Sequence, residues 1–411
     1  MKTEEYRAGD LDQTFGDNGA AIFNGVDYLF ALATDTNDNI YAAGRTLDNK
    51  FYVARLTPDG RFDPNFGGTG YVTGNFSNGY HSQALTVNVD LQGRCLIIGE
   101  AAFSAGLARF TPDGKLDETF GDGGKLLVPP PPGLKRLSTE PIRSDSSSSQ
   151  SCSCTLLSDG KILFLIRFDR NASNLHLIRL EENGTLDKTF NNTGYVEVSY
   201  EGRDLYPSLR SAIQGERLII GASVRKNDLH FGLLAGYDLN GTLDRTFGKD
   251  GYALLEEPVD VGSEIWDLQQ GSGQQIWAIG RTTPPHLGSD IPPTRGFLTR
   301  LSKDGHVDTT FNHGHPVLTP AGLDDEWIAG ALQNNGNMVL AGTRFVAGAG
   351  MLGRYKSDGS LDTDFGEGGI RFLPSGGTAR LVTLQKDGRI IAGGAVSPNG
   401  SRIAAVLRYH K

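Results

Sequence analysis

The stretch LDQTFGDNG at residues 11–19 decides the fold, because the chain repeats it six more times. The other copies are FDPNFGGTG at 62–70, LDETFGDGG at 116–124, LDKTFNNTG at 186–194, LDRTFGKDG at 243–251, VDTTFNHGH at 307–315 and LDTDFGEGG at 361–369. Their Phe residues are spaced by about 58 residues on average, which is within the length of one β-propeller blade. This signature therefore predicts seven copies of one structural unit.

Each unit carries four short apolar runs separated by turn residues. The first two flank a polar turn, as in ALTVNVDLQGRCLIIGE at 84–100 and LVTLQKDGRIIAGG at 381–394, which is the pattern of a β-hairpin. A third run ends in Arg, an apolar residue and a turn, as in FYVARLTPDG at 51–60, and a fourth follows the signature, as in GYVTGNF at 70–76. Four strands per unit, a to d, are typical of a propeller blade.

The two ends of the chain predict how the ring closes. The chain starts with a signature and a d strand, AAIF at 20–23, and ends with runs that supply strands a, b and c. Pairing them leaves no open sheet edge. We therefore predict an all-β fold, a single seven-bladed β-propeller domain over 1–411 with four antiparallel strands per blade. Its blades lie at about 27–76, 81–128, 152–199, 207–256, 264–318, 326–373 and 379–411 plus 10–24.

The signature LDxTFGxxG, preceded by the pattern RLxxDG, resembles the bacterial tandem repeat called the delta-60 repeat. The resemblance covers nearly the whole chain and implies a propeller-type fold. It implies no activity, because the family carries none that could be transferred to this chain. One unit departs from the pattern, since AGYDLNG at 235–241 places Gly236 where the other units have Arg.

The residues shared by the repeats are interpreted as structural. The signature Asp can accept backbone N–H groups of the following turn, the Phe can fill the space between blades, and the next Gly can adopt a positive φ. The Arg of strand c is expected to pair with a signature Asp or with turn carbonyls. Its absence at Gly236 suggests that this pairing is dispensable in one blade.

Composition and charge indicate which binding partners and which cellular compartment to expect. The net charge of −9 argues against nucleic acid as a partner, and no stretch is long and apolar enough for membrane insertion. No classical signal peptide is present, and three cysteines are too few for a disulfide framework. These features predict a cytoplasmic protein, although export by a non-classical route stays open.

Loop lengths predict a functional face. The a–b and c–d turns are uniform, whereas the b–c and d–a connections vary, with long segments at 129–151, 167–176 and 280–297. Variable loops on a rigid scaffold are the usual carriers of binding. At the mouth of the central channel on this face we expect a ligand-binding group formed by Tyr28, His81, Tyr206, Trp266, Trp327 and Arg380. The carboxylates nearby are those of Asp204, Glu264, Asp325 and Glu326.

Several alternatives remain open for these residues. Trp266 and Trp327 can instead pack between blades, as Trp often does. The CxC pair Cys152 and Cys154 and the histidines His306, His313 and His315 could hold a metal, but neither set has the further ligands of a known site. We therefore predict no metal, no cofactor and no catalytic residue.

The leading hypothesis is a non-catalytic binding or scaffold protein that engages a protein or carbohydrate partner through the variable-loop face. A propeller enzyme, a hydrolase or lyase, is the alternative, with the carboxylates, His81 and Arg380 at the channel mouth. A purely structural role is the third interpretation. No catalytic motif in the sequence decides between them.

Overall fold

The computed structural model describes residues 6–78, 81–101, 104–133, 152–168, 175–226, 228–257, 261–284, 293–397 and 400–411. Their strands form seven four-stranded antiparallel sheets arranged in a ring, which confirms the seven-bladed β-propeller. In the described part of the chain, no helix is long and apolar enough to cross a membrane. The helical elements within these residues are short 3-10 turns at Phe190–Asn192, Asn312–Gly314 and Pro374–Gly376.

Strands are numbered β1 to β28 in chain order. Blade 1 contains β2 (Val26–Thr34), β3 (Ile40–Thr46), β4 (Phe51–Leu56) and β5 (Tyr71–Gly74). Blade 2 contains β6 (Ser82–Val89), β7 (Cys95–Ala101), β8 (Ser104–Phe110) and β9 (Lys125–Val128). Blade 3 contains β10 (Cys152–Leu156), β11 (Ile162–Ile166), β12 (Leu175–Leu180) and β13 (Tyr195–Val198). Blade 4 contains β14 (Leu205–Gln214), β15 (Arg217–Lys226), β16 (Leu229–Asp238) and β17 (Tyr252–Leu255).

The remaining blades follow the same order. Blade 5 contains β18 (Gly262–Gln270), β19 (Ile276–Thr283), β20 (Gly296–Leu301) and β21 (Val317–Leu318). Blade 6 contains β22 (Asp325–Leu332), β23 (Met338–Arg344), β24 (Ala349–Tyr355) and β25 (Ile370–Phe372). Blade 7 contains β26 (Thr378–Leu384), β27 (Ile390–Val396), β28 (Ile403–Tyr409) and β1 (Ala20–Phe23). The first strand of each blade contacts the first strands of both neighbours, so these seven strands surround the ring axis.

Blade 7 closes the ring as the sequence predicts, because β1 pairs antiparallel with β28 from Ala20↔Leu407 to Phe23↔Ala404. The c–d turn of this blade is divided between the two ends of the chain. Gly9 N donates to His410 O at 2.9 Å, and His410 N donates to Asp10 O at 2.9 Å. Sheet pairing and this turn together join the two ends of the chain.

The signature forms the turn between strands c and d of each blade, and this turn also makes a hydrogen bond to the next blade. Asp63 Oδ1 accepts the Asn65 N–H at 3.0 Å, which holds the turn in the form expected from sequence. Phe66 is fully buried, and Gly67 follows it with φ of +63°. The Gly67 N–H then donates to Asp113 O of the next blade at 2.9 Å. An equivalent interblade hydrogen bond occurs at all seven junctions, with donors Gly16, Gly67, Gly121, Asn191, Gly248, Asn312 and Gly366.

The Arg of strand c makes both of the contacts considered in the sequence analysis. Arg109 Nε donates to Asp117 Oδ2 at 2.7 Å, its Nη1 donates to Glu182 O of the next blade, and its Cζ lies 4.8 Å from the centre of the Phe120 ring. The same Nε to Asp pairing occurs in six blades, at 2.6 to 2.8 Å, in Arg55–Asp63, Arg109–Asp117, Arg179–Asp187, Arg300–Asp308, Arg354–Asp362 and Arg408–Asp12.

Blade 4 corrects the expectation that the pairing is dispensable where Gly236 replaces Arg. Arg217, from the neighbouring strand β15, places its Nε 2.6 Å from Asp244 Oδ2 and its Nη1 2.7 Å from Lys303 O of the next blade. Its Cζ lies 5.4 Å from the centre of the Phe247 ring. A Cβ at Gly236 would lie 2.8 Å from Phe247, so the ring already occupies the space beside this residue. The guanidinium is therefore retained and comes from a different strand.

A β-bulge shapes the innermost strand of most blades. In blade 5 the register passes from Ile265↔Gly280 to Asp267↔Ile279, so Trp266 has no partner in β19. At Gly280, a Cβ would overlap the carbonyl oxygen of Glu264. The same close approach occurs at Gly44, Gly99, Gly342 and Gly394. A glycine in strand b is thus required where the bulged strand presses its backbone against the sheet.

We expect Gly280→Ala to lower the free energy of unfolding by about 2 kcal/mol, because the new methyl group would have to displace backbone rather than a side chain. Gly221→Ala is the matched control in strand b of blade 4, since the nearest atoms to its Cβ would belong to side chains, Leu268 at 3.1 Å and Ile265 at 3.6 Å, and not to the backbone. Urea denaturation of both variants measures the difference. Equal losses in the two variants would contradict the proposed role of the bulge.

Candidate functional site

Each bulged innermost strand has three consecutive residues, near the end where strand a begins, that differ in how they pair with strand b. The first position pairs with the residue that follows the strand b glycine, the second pairs with that glycine and faces the core, and the third is the unpaired residue of the bulge. The first position is occupied by Tyr28, Gln83, Glu264, Glu326 and Thr378. The third is occupied by Phe30, Leu85, Trp266, Ile328 and Arg380.

A charged network links blades 5 and 6 at this end. Arg281 Nε donates to Glu264 Oε2 at 3.0 Å, and Arg281 Nη1 donates to Glu326 Oε2 at 3.3 Å. The Cζ of Arg281 also lies 5.4 Å from the centre of the Trp266 ring, which is half-buried. One guanidinium therefore fixes two carboxylates from adjacent blades beside an aromatic ring.

Two aromatic rings extend this network into blade 4. His230, at the start of β16, places Nδ1 3.4 Å from Glu264 Oε1. The centre of its ring lies 4.5 Å from that of the half-buried Tyr206. Tyr206 is thus linked to the Glu264 carboxylate through His230, and Trp266 is linked to it through Arg281.

A second group of cations lies at the junction of blades 7 and 1. Arg402, exposed in the segment before β28, places its Cζ 4.5 Å from the centre of the Tyr28 ring. Arg45 lies 5.6 Å from the same ring and forms an ion pair with Asp27. Tyr28 in turn stacks on Phe30, with ring centres 5.8 Å apart. Two guanidinium groups therefore contact one member of a stacked aromatic pair at this junction.

Burial and neighbouring charges shift the pKa values of three of these groups. Burial raises the pKa of Glu326, although the charges of Arg281 and Arg380 act against it. Glu264 is also buried, but hydrogen bonding from His230 and the charge of Arg281 keep its pKa below the usual value. Burial lowers the pKa of Arg380, partly offset by the charge of Glu326. The two carboxylates of the network are thus unequal as proton acceptors.

These residues form what we call the axial cluster, and five of the seven blades contribute to it. Its members are Tyr28, Tyr206, His230, Glu264, Trp266, Arg281, Glu326, Arg380 and Arg402. Four of the six residues proposed from sequence, Tyr28, Tyr206, Trp266 and Arg380, belong to it.

Trp327 and His81 are placed elsewhere. Trp327 is 1% exposed and occupies the second, core-facing position, where its ring contacts Gly353 of its own blade and Gly296 of blade 5. Trp327 therefore packs between blades, which is the alternative to ligand binding considered for this residue. His81 is exposed directly before β6, and among the described residues its side chain forms no hydrogen bond, ion pair or ring contact with the axial cluster.

The carboxylates noted beside them also differ in role. Asp325 is fully buried and accepts two hydrogen bonds from Arg344, at 2.9 and 3.0 Å, so it is a structural group of blade 6. Asp204 is exposed directly before β14. Only Glu264 and Glu326 of the four carboxylates contribute to the network around Arg281.

Three members of the axial cluster, His230, Arg281 and Arg402, were not predicted from the sequence. A signal for Arg281 was present, because it follows the strand b glycine in WAIGRT, as Arg45 does in YAAGRT. In an antiparallel sheet that residue lies directly opposite the first position of strand a, here Glu264. His230 and Arg402 come from strand c or the residue before it, and no repeated pattern marks them.

The cysteines and histidines do not form a metal site in the described part of the chain, where no group of three His, Cys, Asp or Glu residues is suitably placed. Burial raises the pKa values of Cys152 and Cys154. His315 instead lies 3.0 Å from Glu257 through Nδ1. Parts of the variable loops, 134–151, 169–174 and 285–292, are outside the described residues.

Three stretches of the chain, residues 37–66, 93–120 and 157–190, match the family model described as "Domain of unknown function (DUF5122) beta-propeller". Each match ends on a signature Phe, namely Phe66, Phe120 or Phe190. No curated protein matches the sequence. The matched repeats support a propeller-type repeat family for this chain.

Solved structures of similar shape include proteins with unrelated roles. An ulvan lyase of polysaccharide lyase family PL25, bound to -[GlcA(1-4)Rha3S]-, is 10% identical with a TM-score of 0.54, and the match covers 95% of each chain. Drosophila semaphorin 1b, extracellular domains 1-2, is 9% identical with a TM-score of 0.51, covering 98% of this chain and 88% of that one. YCF48 bound to D1 peptide is 13% identical with a TM-score of 0.50, covering 98% and 99%. At these identities the similarity concerns the fold alone.

Proposed function

We propose that the protein is a non-catalytic binding propeller that holds a carbohydrate partner at the axial cluster, on the face of the b–c and d–a connections. The observation that carries this proposal is the position of Arg281, which fixes Glu264 and Glu326 beside Trp266. Fixed carboxylates and guanidinium groups can exchange hydrogen bonds with sugar hydroxyls, while aromatic rings can stack on the apolar face of a sugar.

The electrostatics favour binding over catalysis at Glu264. A general base works best when its pKa is close to the working pH. The pKa of Glu264 is instead lowered by its partners, so the carboxylate stays ionised and is a weak proton acceptor. Its oxygens are better suited to accepting hydrogen bonds from a ligand that is bound unchanged.

We expect Trp266→Ala to weaken glycan binding by about tenfold, because a half-buried aromatic ring at the centre of a site supplies a large share of its contact energy. A glycan array with the full chain identifies a bound sugar, and titration calorimetry with that sugar then compares the variants. Tyr71→Ala is the matched control, since Tyr71 is 42% exposed on β5, the outermost strand of blade 1.

Several results would count against this function. One is unchanged affinity in the Trp266→Ala variant, and another is equal loss in the Tyr71→Ala variant. A complete absence of glycan binding, with a protein bound at the same residues instead, would show that the partner is a protein.

An enzyme is the second candidate, and two specific observations favour it. Burial raises the pKa of Glu326, and the His230 ring contacts both Tyr206 and Glu264. A carboxyl group with a raised pKa and an oriented imidazole are the parts of an acid and base pair. If the bound glycan is shortened by the wild-type protein but not by a His230→Ala variant, the protein is a hydrolase or lyase rather than a binder.

A further inference from the structure

One guanidinium of the repeated set lacks partners that the others have. In six blades, Nη1 of the Arg that pairs with the signature Asp also donates to a backbone carbonyl of the next blade, in Arg55–Pro112, Arg109–Glu182, Arg179–Leu239, Arg217–Lys303, Arg300–Ser357 and Arg408–Pro58. Arg354 is the corresponding residue of blade 6, and its Nε donates to Asp362 Oδ2 at 2.7 Å. Within the described residues, neither Nη1 nor Nη2 of Arg354 has a hydrogen-bond partner.

Both of the usual acceptors are different at this junction. The c–d turn of the next blade is formed by the two ends of the chain rather than by one continuous segment. The second acceptor is usually a Thr Oγ1, which bonds to Nη2 in Arg109–Thr119, Arg179–Thr189, Arg217–Thr246, Arg300–Thr310 and Arg408–Thr14. Blade 6 has Asp364 at the position of this Thr, and in the described part of the chain Asp364 forms no ion pair with Arg354. The outer edge of the Arg354 guanidinium is therefore open.

This open edge belongs to a cleft on the face of the a–b turns. The Arg354 side chain is only 10% exposed, and its Cζ lies 4.9 Å from the centre of the Phe365 ring, so the guanidinium is held in place. The cleft has a volume of about 840 Å³ and is bounded by the a–b turns of blades 1, 6 and 7. Thr34, Leu332 and Leu384, the last residues of three innermost strands, also line it. The cleft therefore lies beside the ring axis, on the face opposite the axial cluster.

A second buried polar group at the cleft also lacks a partner. In blades 4 and 7 the Gln that follows strand a accepts a hydrogen bond from the same guanidinium, at 3.1 Å in Arg217–Gln214 and 3.3 Å in Arg408–Gln385. The equivalent residue of blade 6 is Gln333, which is buried and lines the cleft. Its Oε1 accepts no hydrogen bond from the described residues. Because unsatisfied buried polar groups cost free energy, two of them beside one cleft indicate a position that a ligand completes.

The charges around the cleft restrict the kind of ligand. Its lining contains three cations and three carboxylates, those of Arg354, Lys386, Lys411, Asp35, Asp38 and Asp387. Each of the carboxylates already accepts an N–H group of an a–b turn. Since the charges balance, recognition depends on directed hydrogen bonds, and a multiply charged anion would be repelled by the three carboxylates. The planar fork of Nη1 and Nη2 fits the two oxygens of a singly charged carboxylate.

We propose that Arg354 anchors a second binding site, which holds the carboxylate of a ligand between Nη1 and Nη2. The two carboxylate oxygens take the places of the backbone carbonyl and the Thr hydroxyl that bind the equivalent guanidinium of Arg109. A small organic acid and the C-terminus of a peptide both supply this group. The site goes beyond the proposed function, because it uses other residues on the opposite face of the ring.

NMR titration of the full chain labelled with ¹³C,¹⁵N-arginine tests the site, because the guanidinium signals of Arg354 report directly on its partners. The Arg354→Lys variant assigns these signals. Acetate should shift them, whereas neutral acetamide at the same concentration should shift them by about tenfold less. Acetyl-Ala-Ala-Ala with a free C-terminus separates the two sources of the carboxylate. Tighter binding than acetate, lost on amidation, identifies a peptide C-terminus, and affinity equal to that of acetate identifies a small organic acid.

The Asp364→Thr variant supplies the hydroxyl that five other blades have, and it keeps the ion pair between Arg354 and Asp362. It should weaken acetate binding by about tenfold, because Nη2 gains an acceptor within the chain. Asp364→Ala is the matched control. It removes the same negative charge without adding an acceptor, so acetate should bind equally well or more tightly.

Equal weakening of acetate binding in the two Asp364 variants would overturn the site. So would tighter binding of inorganic phosphate than of acetate, or Arg354 signals that neither acetate nor the peptide shifts. None of these results bears on the axial cluster, whose test uses Trp266→Ala.

Discussion

Replacement of Arg408 by Ala is expected to lower the free energy of unfolding by about 3–4 kcal/mol, because the buried Asp12 loses its closest cation and keeps only a longer ion pair with Arg389, at 3.3 Å. Arg408 and Asp12 are each only 3% exposed, and Arg408 Nε donates to Asp12 Oδ2 at 2.8 Å. Arg408 Nη1 also donates to Pro58 O of blade 1 at 2.7 Å. The variant therefore loses a contact inside blade 7 and a contact across the junction that closes the ring.

Urea denaturation of the wild type, Arg408→Ala and Arg61→Ala measures this loss. The control removes an exposed ion pair with Asp59, for which a change below about 1 kcal/mol is expected. A double-mutant cycle with Asp12→Asn should show strong coupling between Arg408 and Asp12. A loss of less than 1 kcal/mol in Arg408→Ala would mean that the pair does not hold the ring closed.

The same variant should respond differently to acid. Burial by itself raises the pKa of Asp12, but hydrogen bonds from Thr14 and the charge of Arg408 bring it down to about 2. A carboxyl group with a lowered folded-state pKa stabilises the protein above its unfolded pKa of about 4, and this stabilisation is lost as the pH falls towards 2. Without Arg408 the pKa of Asp12 rises, so the contribution becomes smaller and is lost at a higher pH.

Arg217→Ala is expected to cost about 3 kcal/mol, at the lower end of the range for a broken ion pair because Arg217 and Asp244 are 19% and 23% exposed. Arg217 supplies blade 4 with the guanidinium that strand c supplies elsewhere. Its removal should leave Asp244 without its ion-pair partner and the junction with blade 5 without the contact to Lys303 O. The effect should resemble that of Arg109→Ala in blade 2.

Arg225→Ala is the matched control on the same strand, since Arg225 is 54% exposed and pairs with the exposed Asp228. Thermal and urea unfolding of the three variants gives the comparison. If Arg217→Ala were no more destabilising than Arg225→Ala, blade 4 would after all tolerate the absence of the guanidinium, as the sequence pattern alone suggested.

The fold could be predicted because its determinants are local and repeated seven times. Asp63, Phe66 and Gly67 each have a physical role that follows from residue type: an acceptor for turn N–H groups, a buried ring and a positive φ. Ring closure could be predicted from the incomplete units at the two ends. The role of Arg217 in blade 4 could not be predicted from the sequence. It depends on a side chain from strand b reaching the carboxylate that pairs with strand c in the other blades.

The site was predicted less completely, and the reason is the bulge. Trp266 and Trp327 both lie near the start of strand a, but Trp327 pairs with Gly342 while Trp266 is the extra residue that follows the pair Ile265↔Gly280. Side chains alternate along a strand, so an offset of one residue moves a side chain from the axial cluster to the core. The two Trp residues are distinguished by their pairing with strand b: Trp327 lies opposite the glycine and Trp266 lies one residue beyond the pair that contains it. This pairing was not predicted from the sequence.

The interblade hydrogen bonds of the signature all run in one direction around the ring. Each blade donates an N–H from the residue after its Phe and accepts one at its own c–d turn, so every junction is the same asymmetric joint. In these backbone hydrogen bonds the ring therefore has no unique junction, and they do not depend on which blade is divided between the two ends of the chain. The innermost strands carry different side chains where they begin, so the seven blades share one kind of backbone junction but differ in the residues that they place at the axial cluster.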